Sequence, residues 1–151
     1  MREILFRGKR CNNGEWAEGC LIRDEFCNTD IPYIGYLSDY DIGAVEVTPE
    51  TVGQFTGLTD KNCKKIFEGD VVKAVIVRDL GGGTENREEI GIIRYDKIGM
   101  IGLIAKYAGT IPVWSDFFQE LTLSGCIDDF WFEVIGNIHD NPELLMPPKG
   151  E

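Results

Sequence analysis

The chain has 151 residues with 15 basic and 26 acidic side chains, so its formal net charge is −11. Hydrophobic residues make up 43% of it, which suits the core of one domain and excludes collagen-like, low-complexity and coiled-coil proteins. No apolar run approaches the roughly 18 residues that cross a bilayer, and the N-terminus lacks a signal-peptide core. We therefore expect a cytoplasmic protein.

The first quarter of the chain shows a period of two, which predicts strands rather than helices. Two strands at 3–7 and 16–23 are joined by a turn-rich connection and are expected to form a hairpin. Two shorter strands are predicted at 31–37 and 44–47.

The segment from Thr48 to Phe67 is predicted to be a long central loop. Thr48 and Pro49 are typical of a helix start. Gly53 and Gly57 limit that helix to a single turn, after which the pattern indicates a loop.

The second half of the chain begins with the strongest predicted strand, 71–77, which is dense in β-branched residues. A glycine-rich tip at 80–86 joins it to a strand at 89–95 as a hairpin. The remaining predicted elements are strands at 100–105, 110–114 and 130–138, a two-turn helix at 115–121 and a helical turn at 141–145.

Short strands with glycine-rich joints are typical of a barrel or sandwich, and glycine inside strands favours strong bending. The sequence predicts a mainly β fold: one small, strongly bent β-barrel-like domain over residues 1–145, with a long central loop and one or two short helices. Residues 146–151 are expected to be a frayed tail.

The charge pattern favours a protein partner over nucleic acid. Basic clusters at 7–10 and 61–65 are short and flanked by acidic residues, whereas binding to phosphates needs a basic face. An acidic surface attracts a basic protein partner instead. We expect no nucleic-acid or membrane partner.

The five cysteines are an odd number and form no Cys-x-x-Cys pair. This argues against a complete disulfide framework and against a zinc site with the lone His139. Five free thiols are expected, acting as small, partly buried apolar residues.

No catalytic motif is found. Gly81–Gly83 lacks the ending of a phosphate loop, and His139 is interpreted as a surface residue after a strand. The acidic pairs Asp39 with Asp41 and 128–129 do not follow the calcium-loop pattern and are interpreted as solvated turns. The aromatic residues between 114 and 132 are expected in the core rather than stacked on bases. No catalytic, cofactor or metal residue is predicted.

Five blocks follow one another from the first predicted strand to residue 145: Phe6-Arg7-Gly8-Lys9, Gly14-Glu15-Trp16-x-x-Gly19, Thr51–Asp60, Lys65–Val72 and Val134–Leu145. In these blocks the chain resembles the YopX protein family, which is carried by bacteriophages and prophages. One departure is Cys63, since a glycine usually follows the Asp60-Lys61-Asn62 turn in that family.

The resemblance implies a phage or prophage origin and a mostly β fold, without an activity or catalytic residues to carry over. We interpret its motif residues as structural: the glycines would permit turns, and the aspartates would bind local amides. This predicted signature consists of Thr51, Gly53, Gln54, Thr56, Gly57, Asp60, Glu68, Gly69, Asp70, Gly136, Asn137, Asn141 and Pro142.

The expected function is that of a phage or prophage accessory protein, a non-catalytic protein-binding or regulatory module whose partner is a host or phage protein. The alternative is a small enzyme or ligand-binding barrel with a carboxylate-lined cleft. Open sheet edges and the aromatic C-terminal third also favour a homo-oligomer.

Overall fold

The structure is a computed structural model that describes residues 3–23, 30–37, 39, 41–79, 84–95, 101–105 and 132–145. The chain divides into two compact units, residues 1–58 and 59–151. Each unit is built on antiparallel strands.

The first unit holds strands that pair in the order β4-β3-β2-β1-β5. A 3₁₀ turn at Pro49–Thr51 precedes β5, whose last residue, Thr59, already belongs to the second unit. The bounds are β1 Phe6–Lys9, β2 Trp16–Ile22, β3 Tyr33–Leu37, β4 Ile42–Glu46 and β5 Gly53–Thr59.

One face of this sheet forms the core of the first unit. Ala17, Ile34 and Val47 are buried together, with partly buried apolar side chains packed around them. Those neighbours are Phe6, Leu21, Val45 and Val52. Because successive side chains of a strand point to opposite faces, the alternate residues of β2, β3 and β4 form the other face.

The sheet of the first unit is bent so that the ends of β1 and β4 meet. An isolated bridge joins Arg10 to Val47. On either side of it, Cys11 N donates to Glu46 O at 3.0 Å and Thr48 N donates to Lys9 O at 2.8 Å. The Glu46 end of β4 is therefore covered by the chain that leaves β1.

The second unit contains a four-stranded sheet in the order β10-β7-β8-β9. A bulge between Val134 and Gly136 interrupts the pairing of β10 with β7, and a 3₁₀ turn at Pro142–Leu145 follows β10. The buried apolar side chains include Phe67, Val72 and Ile93. The bounds are β6 Lys65–Phe67, β7 Asp70–Asp79, β8 Thr84–Tyr95, β9 Ile101–Ala105 and β10 Phe132–Asn137.

The mainly β fold is confirmed, as are the hairpins β1–β2 and β7–β8 and the turns at Pro49 and Pro142. The two sheets have end strands and neither closes into a barrel within the described part of the chain. The barrel-like form and the single domain over 1–145 therefore stay predictions. The predicted elements at 110–114 and 115–121, the 80–83 part of the glycine-rich tip, and the tail 146–151 lie outside the described residues.

The predicted central loop from Thr48 to Phe67 is wrong, because β5 and β6 occupy half of it. That prediction places Gly53 and Gly57 in a loop. Gly53 instead lies in β5 opposite Arg7, and Gly57 takes a positive φ of 85° inside the same strand. The strand continues past such a glycine, since an irregularity at one residue bends a strand without ending it.

Neither helical turn of the described residues has the length or the apolar content of a membrane-spanning helix.

Candidate functional site

Asp60 organises a turn between β5 and β6. Its Oδ1 accepts hydrogen bonds from Asn62 N at 2.8 Å and Lys64 N at 2.9 Å, and its Oδ2 accepts one from Val134 N at 3.0 Å. Burial raises the pKa of Asp60, but the amide hydrogen bonds of Val134, Lys64 and Asn62, together with the Lys64 charge, outweigh burial and lower the pKa below its ordinary value. Asp60 is therefore held as a carboxylate that fixes backbone.

Cys63 lies in the same turn with a φ of 62°, the left-handed region that side chains with a Cβ rarely adopt. Its N–H donates to Asp60 O at 2.9 Å, which closes the turn. This conformation explains why a glycine suits the position.

Asp70 fixes the second turn of the signature. It is 1% exposed, and its Oδ2 accepts a hydrogen bond from Phe67 N at 2.8 Å. Gly69 beside it has a φ of 86°. Its N–H donates to Ile93 O at 2.8 Å, and its carbonyl accepts from Ile138 N at 3.0 Å. The turn therefore connects β8 with the segment after β10, and half-buried Glu68 lies within it.

The third turn follows β10. Asn137 Oδ1 accepts from His139 N at 3.0 Å and from Asp140 N at 2.9 Å, and Asn137 Nδ2 donates to Asp140 Oδ2 at 2.8 Å. Asn141 Oδ1 would lie 2.5 Å from a Cβ at Gly136. Gly136 is therefore required by the close approach of Asn141, and exposed Pro142 begins the next 3₁₀ turn.

The remaining signature residues lie in the first unit. Buried Thr51 accepts a hydrogen bond from Lys9 N at 2.8 Å and donates one to Thr48 O at 2.7 Å. Buried Thr56 accepts one from Leu58 N at 3.2 Å. Half-buried Gln54 pairs with β1, as does Gly53.

The described signature residues therefore hold turns and strands, and the two buried carboxylates among them, Asp60 and Asp70, are used by backbone amides. No group of three or more histidine, cysteine or acidic side chains could hold a metal ion within the described ranges. The polar contacts described for these residues are made mostly to backbone groups, which favours a structural role for the signature.

A different surface stands out in the first unit, on the side of β2, β3 and β4 opposite the core. In the pairing of these strands, Cys20 lies opposite Gly35 and Gly35 opposite Ala44, while Ile22 lies opposite Tyr33 and Tyr33 opposite Glu46. We call this surface, completed by Leu37 and Ile42, the outer face. Its exposed members are Cys20, Ile22, Leu37, Ile42, Ala44 and Glu46.

Leu37 and Ile42 form the apolar end of the outer face. They are directly opposite each other in β3 and β4, and they are 78% and 80% exposed. Ile22 on β2 is also exposed, and its side chain lies over Gly35 of β3. A Cβ placed on Gly35 would be only 2.8 Å from Ile22 Cδ1. Apolar side chains grouped in this way on a surface are typical of an interaction site.

Carboxylates precede and follow this apolar group along the chain. Asp39 and Asp41 are exposed in the connection between β3 and β4, and Glu46 is exposed at the far end of β4. Tyr36 Oη donates to Asp41 Oδ2 and Tyr33 Oη donates to Glu46 Oε1, both at 3.2 Å. Tyr33 lies on the outer face and orients Glu46 there, whereas Tyr36 alternates with Leu37 on β3 and holds Asp41 on the opposite face.

The acidity of this region is visible in the sequence. Between Arg23 and Lys61 there is no lysine, arginine or histidine, whereas eight acidic residues occur there. They are Asp24, Glu25, Asp30, Asp39, Asp41, Glu46, Glu50 and Asp60. This one-sign stretch is the signal that could have located the outer face, and the predictions from the sequence did not use it.

The β1 end of the same sheet is basic by contrast. Arg7 lies over the Trp16 ring, with 4.5 Å from its guanidinium carbon to the ring centroid, and Lys9 Nζ lies 5.7 Å from that centroid. The basic cluster at 7–10 thus contributes cation–π packing within the sheet. In the second basic cluster, Lys61 Nζ pairs with Glu133 Oε2 at 2.8 Å.

The expectation of partly buried cysteines is wrong for the three described ones. Cys11, Cys20 and Cys63 are free thiols, and all are exposed. Cys11 lies in the turn after β1, Cys20 lies on the outer face, and Cys63 lies in the Asp60 turn. Asp39 and Asp41 lie in the β3–β4 connection, as predicted. His139 is half-buried in the turn after β10. Cys27, Cys126, residues 128–129, Gly81–83 and most of the aromatic cluster lie outside the described residues.

Comparison with known proteins gives a family and a structural relative. The family model described as "YopX protein" matches residues 5–146. The crystal structure of protein EF1440 from Enterococcus faecalis is similar with a TM-score of 0.52 and 25% sequence identity. That match covers 97% of this chain and 100% of the other.

Proposed function

Because this chain belongs to the YopX protein family, we propose that it is a non-catalytic accessory protein of a phage or prophage. It acts in the cytoplasm of the bacterial host by binding a host or phage protein. Its binding surface is the outer face of β2, β3 and β4.

The single observation that carries this proposal is the exposed pair of Leu37 and Ile42. These two branched apolar side chains lie opposite each other and are about four-fifths exposed. A partner that removes them from water makes the free energy of binding more favourable. Each contributes roughly 1.5–3 kcal/mol when it is fully buried. A polar surface turn would carry no such pair.

The charge around this pair indicates the chemistry of the partner. Glu46 lies on the outer face and Asp39 is exposed in the connection that follows Leu37, and the chain between Arg23 and Lys61 carries eight acidic residues and no basic one. A partner with lysine or arginine around an apolar centre is therefore complementary to the outer face. Such complementarity accelerates association at low salt and selects among partners.

The proposal is tested with a double variant, Leu37→Ser with Ile42→Ser, used as bait in lysates of prophage-bearing cells. Ile4→Ser is the matched control, because Ile4 is also exposed but precedes β1. We expect the double variant to capture the partner with at least roughly tenfold lower affinity, the loss typical of interface hot spots. Ile4→Ser should bind like the wild type.

A second readout locates the contact. Cys20 is exposed on the outer face and Cys63 is exposed in the Asp60 turn, so the captured partner should slow alkylation of Cys20 and leave Cys63 unchanged. Equal capture by the double variant, or equal alkylation of Cys20 with and without partner, would contradict this binding surface.

A further inference from the structure

We propose that the open edge of β4, from Ile42 to Ala44, takes up an extended basic segment of the partner as an added β-strand. This inference rests on the proposed function, because it specifies how the outer face and its partner meet. It names the chemistry of the occupant as a short segment in which apolar residues alternate with lysine or arginine.

The hydrogen-bond pattern identifies which backbone groups of β4 are at the edge. Val47 N donates to Pro32 O at 3.0 Å, so the backbone groups of Val47 point towards β3. In an antiparallel ladder successive residues direct these groups to opposite sides. The N–H and C=O groups of Glu46, Ala44 and Ile42 therefore point away from β3.

One end of this edge is already covered, whereas the described residues make no backbone hydrogen bond to the other end. Glu46 O accepts the hydrogen bond from Cys11 N, which is part of the bend that brings the end of β1 to β4. Ile42 and Ala44 lie beyond that contact, and β4 is the end strand of its sheet. Their N–H and C=O groups form a short template for strand addition.

The edge also lacks the features that usually prevent strand addition. Edge strands are commonly blunted by lysine, proline, a bulge or an inward charge. β4 has the sequence Ile42-Gly43-Ala44-Val45-Glu46 and pairs with β3 in a continuous register without a bulge. Its single charge, Glu46, lies at the covered end, so within the described part of the chain the edge from Ile42 to Ala44 carries none of these protective features.

The side chains beside this edge determine what the added strand carries. Ile42 and Ala44 offer apolar contacts on the outer face, with Leu37 behind Ile42 on β3. Glu46 lies on the same face but at the covered end, whereas Asp41 precedes β4 on the opposite face, where Tyr36 Oη donates to its Oδ2. An added strand with alternating residues therefore places apolar side chains beside Ile42 and Ala44 and basic side chains on the face of Asp41. A second copy of this chain would bring carboxylates to an acidic surface, which disfavours it as the occupant.

The test uses the full chain and a synthetic hexapeptide, Lys-Val-Lys-Val-Lys-Val with blocked ends, with Glu-Val-Glu-Val-Glu-Val as the matched control. Amide hydrogen exchange is followed by NMR. We expect the lysine peptide to slow exchange at Ile42 and Ala44 by about tenfold or more at saturation, as new hydrogen bonds protect these amides. The glutamate peptide should leave both amides unchanged.

Ala44→Pro provides the matched variant. Since the N–H of Ala44 points away from β3, proline removes an edge donor without removing a bond of the β3–β4 ladder. We expect it to weaken binding of the lysine peptide by about tenfold. The amides of Gly43 and Val45, which face β3, report whether the hairpin remains folded. If it unfolds, the exchange data on the wild-type protein still decide.

The outcomes separate this inference from the proposed function. In one outcome, the lysine peptide no longer binds the Leu37→Ser, Ile42→Ser protein but binds Ala44→Pro as tightly as the wild type, and exchange at Ile42 and Ala44 is not slowed. This outcome overturns strand addition and leaves the outer face as the binding surface. Equal binding of both peptides, or of neither at about 1 mM, overturns strand addition by a basic segment. If the Ile42 and Ala44 amides become protected from exchange as the protein concentration rises without peptide, the occupant of the edge is a second copy of this chain. That result also overturns strand addition by a basic segment.

Discussion

Asp60 and Val134 are hydrogen-bonded across 74 positions of the chain, with Asp60 Oδ2 accepting from Val134 N at 3.0 Å. The same carboxylate holds the amides of Asn62 and Lys64. One side chain therefore fixes the turn before β6 and attaches it to β10.

Asp60→Asn should destabilise the protein. The asparagine amide cannot accept hydrogen bonds at both ends, so a backbone N–H loses its acceptor, and the charge that strengthens the other bonds is lost. Hydrogen bonds to charged groups contribute about 1.5–3 kcal/mol, and we expect a loss of that size in the free energy of unfolding. Urea denaturation measures it. Asp39→Asn, at an exposed position, is the control and should change little.

Acid should weaken the protein through the same group. The pKa of Asp60 is lower in the folded protein than in the unfolded chain, so its contribution to stability is fully present above the unfolded value of about 3.9 and is lost as pH falls through the folded value. We expect the urea midpoint to fall more steeply with acid in the wild type than in Asp60→Asn. Parallel curves for the two proteins would contradict this role.

Cys63→Gly should stabilise the protein. The left-handed region costs a residue with a Cβ about 1–2 kcal/mol of conformational free energy, whereas glycine adopts a φ of 62° readily. Glycine also costs about 0.5–1 kcal/mol through the freedom of the unfolded chain. The expected net gain is therefore between about 0 and 1.5 kcal/mol in the free energy of unfolding, measured by urea denaturation. Cys11→Gly is the control: Cys11 is also exposed, but it has no positive φ, so this change should give no gain.

Gly69→Ala should destabilise the protein through the backbone and not through crowding. A Cβ at this position would lie 3.7 Å from Ile138, which is ordinary contact, but the φ of 86° disfavours alanine by about 1–2 kcal/mol. Asparagine visits the left-handed region more readily, so Gly69→Asn should lose less than Gly69→Ala. An equal loss from both variants in thermal melts would point to another cause.

Nucleic acid should not be retained by this protein. The net charge of −11 opposes phosphate, and Lys61 of the second basic cluster is paired with Glu133. A gel shift with single- and double-stranded DNA and RNA at about 50 mM salt, where phosphate contacts are strong, checks this. Micromolar retention that is lost in a Lys64→Glu, Lys65→Glu protein would reverse the conclusion and make the Asp60 turn a nucleic-acid site.

The sequence predicts those parts of the fold that depend on local pattern. The density of β-branched residues predicts β7, the glycine-rich tip after it predicts the hairpin with β8, and Pro49 and Pro142 mark their turns because proline suits a first helical position. β5 was not predictable in this way, because Gly53 and Gly57 weaken the local strand signal. Its place in the sheet depends on pairing with β1, which is distant in the sequence.

The same division holds for the candidate site. Asp60 and Asp70 were identified as residues that bind local amides, but the bond from Asp60 to Val134 depends on the fold. The opposition of Leu37 and Ile42 follows from the register of β3 with β4. Sequence alone does not fix a register, since a shift by one residue would move both side chains to the other face.

The stretch without basic residues also determines how this surface will behave in mass spectrometry. Trypsin cuts after lysine and arginine, so the chain between Arg23 and Lys61 leaves the digest as one long peptide that carries all of β3 and β4. Cross-linkers that react with lysine have no target in that peptide before its final residue. A complex held at the edge of β4 would therefore give no amine cross-link within β3 or β4 themselves, and reagents that couple carboxylates to amines would be needed to join Asp41 or Glu46 to a lysine of the partner.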